Sequence, residues 1–216
     1  DAAIENYKQA LKIKPDYAEA YNNRGIVLQD KGDLKGAINS YKKALHINPV
    51  YVEAYTNMGI VQQKQGDLVA AIGNYQKALK IKPNYAQGHS NMGNALKEKG
   101  DLEGAMGSYQ QALNIKPDLA EAHYNLGNAL LQQGKLKDAV ASYSKAIALK
   151  PDLSRAYNNL KLATKALMFS EIDQDYTWET IANGFNDDAL ASINFALQQF
   201  YLDGFRPHEA DKSFKK

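Results

Sequence analysis

The chain has 216 residues and no cysteine, and its 26 lysine and arginine residues nearly balance its 24 aspartate and glutamate residues. The absence of cysteine excludes disulfides, cysteine-based zinc sites and thiol nucleophiles. The near-neutral charge lacks the attraction that nucleic acids and anionic membranes require, and no apolar run reaches the roughly 20 residues of a membrane helix, so neither is a predicted partner.

Residues 1–17 hold the second helix of a partial repeat, predicted over residues 2–14 and ended by Pro15. This segment has no initiator methionine, basic region or apolar targeting segment, so we expect a cytoplasmic location and a fragment of a longer protein. Complete repeats follow at 18–51, 52–85, 86–119 and 120–153, here called repeats 1 to 4. Each is predicted to form two helices of about 14 residues around a glycine turn.

The evidence for these repeats is a set of small, aromatic and turn residues that recur every 34 positions. The recurring residues are the helix glycines Gly25, Gly59, Gly93 and Gly127, the alanines Ala37, Ala71, Ala105 and Ala139, the tyrosines Tyr41, Tyr75, Tyr109 and Tyr143, the turn glycines Gly32, Gly66, Gly100 and Gly134, and the prolines Pro15, Pro49, Pro83, Pro117 and Pro151. This order resembles the tetratricopeptide repeat, a helix–turn–helix unit that stacks into a solenoid. The resemblance implies that glycine and alanine mark a close approach of two helices, with the tyrosine packed beside them.

The residues of each turn predict how the first helix ends and how the second helix is capped. Glycine at 32, 66 and 100 is expected to end the first helix in the left-handed conformation, and the following aspartate is expected to cap the second helix. Lys135 replaces that aspartate in repeat 4, which predicts a cap weaker by about 1 kcal/mol.

The repeat pattern weakens after repeat 4. Residues 154–167 are predicted to form a further first helix, although Lys161 occupies the glycine position. Residues 168–216 are expected to form a non-repeat segment with helices over 175–183 and 187–203, whose aromatic residues cover the open end of the solenoid or connect it to a catalytic domain. These aromatic residues are Trp178, Phe185, Phe195, Phe200 and Tyr201. The predicted fold is an all-α, right-handed superhelical solenoid of tetratricopeptide repeats followed by this segment.

The main candidate site is an asparagine at the sixth position of every first helix, on the expected concave face. These residues are Asn23, Asn57, Asn91, Asn125 and Asn159. An amide can donate to and accept from the backbone of an extended ligand, and we expect these side chains to face solvent in the free protein. Repeats such as Tyr55-Thr56-Asn57-Met58-Gly59 resemble the superhelical repeats of O-linked N-acetylglucosamine transferases, in which such a ladder holds the backbone of protein substrates. The resemblance covers residues 2–167 and no catalytic sequence; the alternative is that the asparagines serve only solubility and local bonding.

Two neighbouring positions are predicted to tune ligand specificity. The fifth position holds Asn22, Thr56, Ser90, Tyr124 and Asn158, and the ninth holds Ile26, Ile60, Asn94, Asn128 and Leu162. Neither position carries a basic residue, which argues against the carboxylate-gripping pattern that resembles co-chaperone repeats.

No catalytic motif, metal site or cofactor is predicted. His89 and His123 occupy the fourth position, where other repeats have tyrosine, so packing explains them better than metal binding. We therefore predict a non-enzymatic scaffold that binds an extended peptide or protein segment in its concave groove. The alternatives are the substrate-recruiting arm of a larger, glycosyltransferase-like modifying enzyme, and a self-assembly module that associates weakly through its open N-terminal helix.

Overall fold

The computed structural model describes residues 2–171, and every regular element in this range is an α-helix. The chain divides between Pro117 and Asp118 into two compact bodies. The described part of the N-terminal body contains α1 (Ala2–Ile13), α2 (Ala18–Asp30), α3 (Leu34–Ile47), α4 (Val52–Lys64), α5 (Leu68–Ile81), α6 (Ala86–Lys99) and α7 (Leu102–Ile115). The described part of the C-terminal body contains α8 (Ala120–Gln132), α9 (Leu136–Leu149) and α10 (Ser154–Glu171).

The predicted helical pairs are confirmed. Repeats 1 to 4 are formed by α2 and α3, α4 and α5, α6 and α7, and α8 and α9. Helix α10 continues to Glu171, past the predicted end at residue 167. The predicted cap helices over 175–183 and 187–203 lie outside the described residues.

The four turns use one hydrogen-bonding pattern. In repeat 1, Gly32 has a φ of 81° and donates to the Gln29 carbonyl at 3.0 Å, while the Asp33 amide donates to the Leu28 carbonyl at 2.9 Å. Such paired bonds satisfy the last carbonyls of a helix and favour glycine at the left-handed position. Equivalent bonds close the turns of the other three repeats, as the glycines predict.

The aspartate caps are also confirmed. Asp33, Asp67 and Asp101 accept hydrogen bonds from the amides of the residues three positions later, at 2.9, 3.1 and 2.9 Å. Lys135 makes no side-chain cap at the start of α9.

In each helical pair, a glycine on the first helix packs against a tyrosine ring on the second helix. A Cβ atom at Gly59 would lie 2.7 Å from the Tyr75 ring, and one at Gly93 would lie 2.6 Å from the Tyr109 ring. The four tyrosines of repeats 1 to 4 are 0% exposed, and the alanines four residues before them are equally buried. Only glycine permits this approach, because any side chain on the first helix would overlap the ring.

The first helices also lie against one another. In the N-terminal body, α2 contacts α4 and α4 contacts α6, whereas successive second helices α3, α5 and α7 are joined mainly through the first helices between them. Within this body neighbouring first helices therefore lie closer to one another than neighbouring second helices do. In the C-terminal body α8 likewise contacts α10.

The missing cap predicts a stabilising substitution. Lys135→Asp should raise the free energy of unfolding by about 1 kcal/mol, because aspartate can accept a bond from an unpaired amide of the first turn. Lys135→Glu is the matched control, since it makes the same charge change with a poorer capping side chain. Equal gains in chemical denaturation would contradict the capping explanation and leave only charge.

The glycine contact predicts opposite effects for two substitutions in repeat 3. Gly93→Ala should destabilise the protein by about 1 to 3 kcal/mol through overlap with Tyr109. Gly107→Ala should stabilise it by about 0.5 to 1 kcal/mol, since a Cβ there meets nothing within 4 Å and alanine favours the helix. Thermal melts that move both variants in the same direction would disprove the proposed role of the glycine.

Candidate functional site

One exposed stripe runs along each first helix. Positions two, six, nine and thirteen of a repeat are separated by four, three and four residues, which places them on one side of an α-helix. In the N-terminal body the stripe comprises Glu19, Asn23, Ile26 and Asp30 on α2, Glu53, Asn57, Ile60 and Lys64 on α4, and Gln87, Asn91, Asn94 and Glu98 on α6. Because these helices are neighbours, their stripes lie side by side, and we call this surface the first-helix face.

The sixth-position asparagines of this face are half-buried and hydrogen-bonded. Asn57 Nδ2 donates to Asn22 Oδ1 at 3.1 Å, and Asn22 Nδ2 donates to Asn23 Oδ1 at 3.3 Å. A line of amides therefore joins α4 to α2. On α6, Asn91 Oδ1 accepts from Gln87 Nε2 at 2.9 Å. These side chains, expected to face solvent, are only partly exposed, and each also takes part in a hydrogen bond within the protein.

A similar bond joins the two first helices of the C-terminal body. Asn159 Nδ2 donates to Asn128 Oδ1 at 2.7 Å and lies 3.3 Å from the Tyr124 hydroxyl. Asn125 is half-buried like Asn159. The sixth position therefore links neighbouring repeats in this body too.

The fifth-position residues do not share one environment. Asn22, Thr56 and Ser90 are buried between helices, and the Thr56 hydroxyl donates to the Val52 carbonyl at 2.9 Å. Tyr124 is half-buried, whereas Asn158 is exposed. A role for this position in ligand specificity stays a prediction. Of its members, Asn22 bonds directly to Asn23 and Asn57.

The ninth position is connected to the core. Asn94 and Asn128 accept hydrogen bonds from the buried hydroxyls of Tyr109 and Tyr143 at 2.7 and 2.9 Å. Where isoleucine occupies the ninth position, a glutamine at the twelfth takes over, so Tyr41 donates to Gln29 at 3.2 Å and Tyr75 to Gln63 at 3.0 Å.

This exchange leaves the ninth position apolar on the first-helix face. Ile26 is 37% exposed and Ile60 is half-buried. This exchange was not predicted, although the sequence carries its signal: isoleucine at the ninth position occurs with glutamine at the twelfth in repeats 1 and 2 and in neither repeat 3 nor repeat 4.

The histidine at the fourth position of repeat 3 is held by the chain itself. His89 Nε2 lies 2.9 Å from the Pro83 carbonyl and, as the N–H tautomer, donates to it. This bond ties the start of α6 to the preceding link. Within residues 2–171 no group of three metal-ligating side chains comes together, and no helix is long and apolar enough to cross a bilayer.

Paired helices stacked around buried tyrosines, with a polar stripe on one side, are the construction of helical-repeat proteins, which act as protein–protein interaction scaffolds. A model of the TPR repeat matches residues 1–32, 27–66, 64–100 and 93–134, and a model of the tetratricopeptide repeat matches residues 120–153. The chain therefore belongs to the tetratricopeptide repeat family.

Solved structures agree on the fold. A crystal structure of MamA protein shares 26% sequence identity, with a TM-score of 0.65, over 84% of this chain and 90% of that one. YrrB, described as a TPR protein with an unusual peptide-binding site, shares 20% identity, with a TM-score of 0.66, over 92% of this chain and 99% of its own. No curated protein gives a significant match.

The buried tyrosines predict a steep loss of stability in alkali. Burial raises the pKa of the Tyr143 hydroxyl to about 12, and burial raises the pKa of Tyr41, Tyr75 and Tyr109 as well. A pKa raised above the unfolded value of about 10 contributes stability that is complete below pH 10 and is lost as pH rises toward the folded pKa. Tyr143→Phe should therefore make the decline of stability with pH shallower by about 1.4 kcal/mol per pH unit between about pH 10 and 12.

The measurement is urea unfolding of both proteins over this pH range. Unfolding at about pH 8 serves as the control, because there the substitution changes absolute stability without changing its pH dependence. Parallel declines for wild type and variant above pH 10 would contradict the assigned burial.

Proposed function

We propose that the first-helix face of the N-terminal body binds an extended polypeptide segment, with Asn23, Asn57 and Asn91 contacting its backbone. The observation that carries this proposal is the hydrogen bond from Asn57 on α4 to Asn22 on α2. This bond holds the amides of adjacent first helices in a row, with one helix diameter between neighbouring asparagines. Neighbouring helices lie about 8 to 10 Å apart and an extended chain rises about 3.3 Å per residue, so each asparagine would meet about every third ligand residue.

The internal bonds give each amide a definite remaining function. Asn23 and Asn91 use their oxygen atoms internally, so the nitrogen of each is the group offered to a ligand carbonyl. Asn57 uses its nitrogen, and its oxygen is the acceptor for a ligand N–H. Donor, acceptor and donor along three helices fit a peptide backbone, which presents both kinds of group.

The expected affinity of such a row is modest. A net hydrogen bond contributes about 1 kcal/mol, so three contacts give about 3 kcal/mol and little preference for the ligand's side chains. Selectivity must then come from the residues around the asparagines. The substrate-recruiting arm of a larger enzyme and the self-assembly module stay predictions.

The proposal predicts a difference between two matched asparagines. Asn91 accepts a bond from Gln87 on first helix α6, and Asn114 accepts the equivalent bond from Gln110 on second helix α7 at 3.0 Å. Ten-residue peptides selected from a display library on the wild-type protein should bind Asn91→Ala about fivefold more weakly, a loss of about 1 kcal/mol. Asn114→Ala should leave their affinity unchanged.

A triple substitution extends the test. Replacing Asn23, Asn57 and Asn91 together by alanine should cost about 3 kcal/mol of binding, more than a hundredfold. Thermal melts must accompany it, because Asn57→Ala also removes the bond to Asn22. If the triple variant is folded and binds the peptides as tightly as wild type and the control Asn114→Ala do, the proposal is wrong.

A further inference from the structure

The first-helix face carries an excess of negative charge. Its exposed charged residues are the carboxylates Glu19, Asp30, Glu53 and Glu98 and the single cation Lys64, with half-buried Lys97 at its margin. Glu19 accepts a long bond from the Tyr17 hydroxyl at 3.4 Å, and Glu98 accepts from Gln63 at 2.7 Å. No ion pair within residues 2–171 neutralises any of the four carboxylates.

Helix stability explains only half of these carboxylates. Glu19 and Glu53 lie in the first turns of α2 and α4, where negative charge complements the helix dipole. Asp30 and Glu98 lie in the last turns of α2 and α6, where the dipole disfavours negative charge and favours a cation. Acids retained at this end of the stripe need another explanation.

In the C-terminal body, the carboxylate at the second position of the repeat forms ion pairs within the protein. Glu121, the residue equivalent to Glu19 and Glu53, is ion-paired with Arg155 on the next first helix and lies 3.9 Å from Lys150. The Arg155 guanidinium also lies 4.7 Å from the centre of the Tyr124 ring. In the N-terminal body the position of Arg155 is occupied by Glu53 for Glu19 and by Gln87 for Glu53, so no arginine stands at that position.

An aromatic ring is also present beside the unpaired acids. Tyr51 lies between α3 and α4 and is half-buried. Burial raises the pKa of its hydroxyl, and the negative charges of Glu19 and Glu53 raise that pKa further. The Tyr17 hydroxyl lies 3.4 Å from a Glu19 oxygen, which places a second ring beside that carboxylate. Carboxylates beside an aromatic ring favour a guanidinium or ammonium group.

We infer that the segment bound by the first-helix face is basic, with lysine or arginine side chains flanking an apolar one. The cations pair with Glu19 and Glu53 at one end of the stripe and with Asp30 and Glu98 at the other, while the apolar side chain packs on Ile26 and Ile60 between them. This inference rests on the proposed function and adds the chemical class of its ligand.

The probe is a ten-residue peptide of repeating serine, lysine and leucine, whose three-residue period matches the expected spacing of the asparagines. Its counterpart has glutamate in place of lysine. By fluorescence anisotropy at about 0.05 M salt, the lysine peptide should bind at least about tenfold more tightly than the glutamate peptide, and this preference should shrink at about 0.5 M salt.

Two pairs of substitutions locate the charge effect. Glu19→Gln with Glu53→Gln should weaken binding of the lysine peptide about fivefold. The matched control is Glu103→Gln with Asp138→Asn, which removes first-turn acids from second helices α7 and α9 and should leave affinity unchanged. Asp30→Asn with Glu98→Gln should weaken binding while leaving the melting temperature equal or higher, a combination that a purely structural role would not produce.

Three results would overturn the inference. One is equal affinity of the two peptides for the wild-type protein. Another is an equal loss of affinity for the lysine peptide in the variant with Glu19→Gln and Glu53→Gln and in the control with Glu103→Gln and Asp138→Asn. If the two peptides bind equally and Asn91→Ala weakens both, the basic ligand is wrong while the proposed function survives. If neither peptide binds but library-selected peptides do, the same conclusion follows.

Discussion

The contact between a glycine on each first helix and a tyrosine on the second is the constraint on which every repeat depends. It brings two helices close enough to bury the whole ring, and burial obliges the hydroxyl to find an acceptor. That acceptor comes from the first helix, at the ninth position in repeats 3 and 4 and at the twelfth in repeats 1 and 2. Core packing and the composition of the exposed stripe are therefore coupled, because an isoleucine at the ninth position requires a glutamine three residues later.

The two bodies differ in how the charges of their first-helix stripes are paired. The first-helix face of the N-terminal body has carboxylates without an ion pair, whereas Glu121 in the stripe of α8 and α10 pairs with Arg155. An exposed apolar ninth residue occurs in both bodies, as Ile26 and as Leu162. The carboxylates of the N-terminal face have no cationic partner within residues 2–171. The acid of the C-terminal stripe is ion-paired within the protein, which is why the proposed ligand contact is placed on the N-terminal face. The half-buried asparagines are compatible with both local bonding and ligand contact, since one bond uses only part of an amide.

The 34-residue period predicted the helical pairs, the left-handed turn glycines, the aspartate caps and the packing of glycine on tyrosine, because each depends on residues close in sequence or at one register. The bonds of the asparagine row were harder to predict. Asn57 meets Asn22 and Asn159 meets Asn128, pairs 35 and 31 residues apart, so their contacts depend on how one repeat rotates on the next. The burial of Thr56 and Ser90 follows from the same rotation. The division after Pro117 has no mark in the repeat pattern, which continues into repeat 4 with the same 34-residue spacing.

The most direct test of the account is to observe the asparagine side chains while a peptide binds. With the protein labelled with nitrogen-15 at asparagine, each side-chain amide gives its own nuclear magnetic resonance signal, assigned by single substitutions. Addition of a library-selected peptide should shift the signals of Asn23, Asn57 and Asn91 and leave those of Asn6 and Asn114, on second helices α1 and α7, in place. Shifts confined to Asn6 and Asn114 would move the binding surface to the second helices and contradict the account.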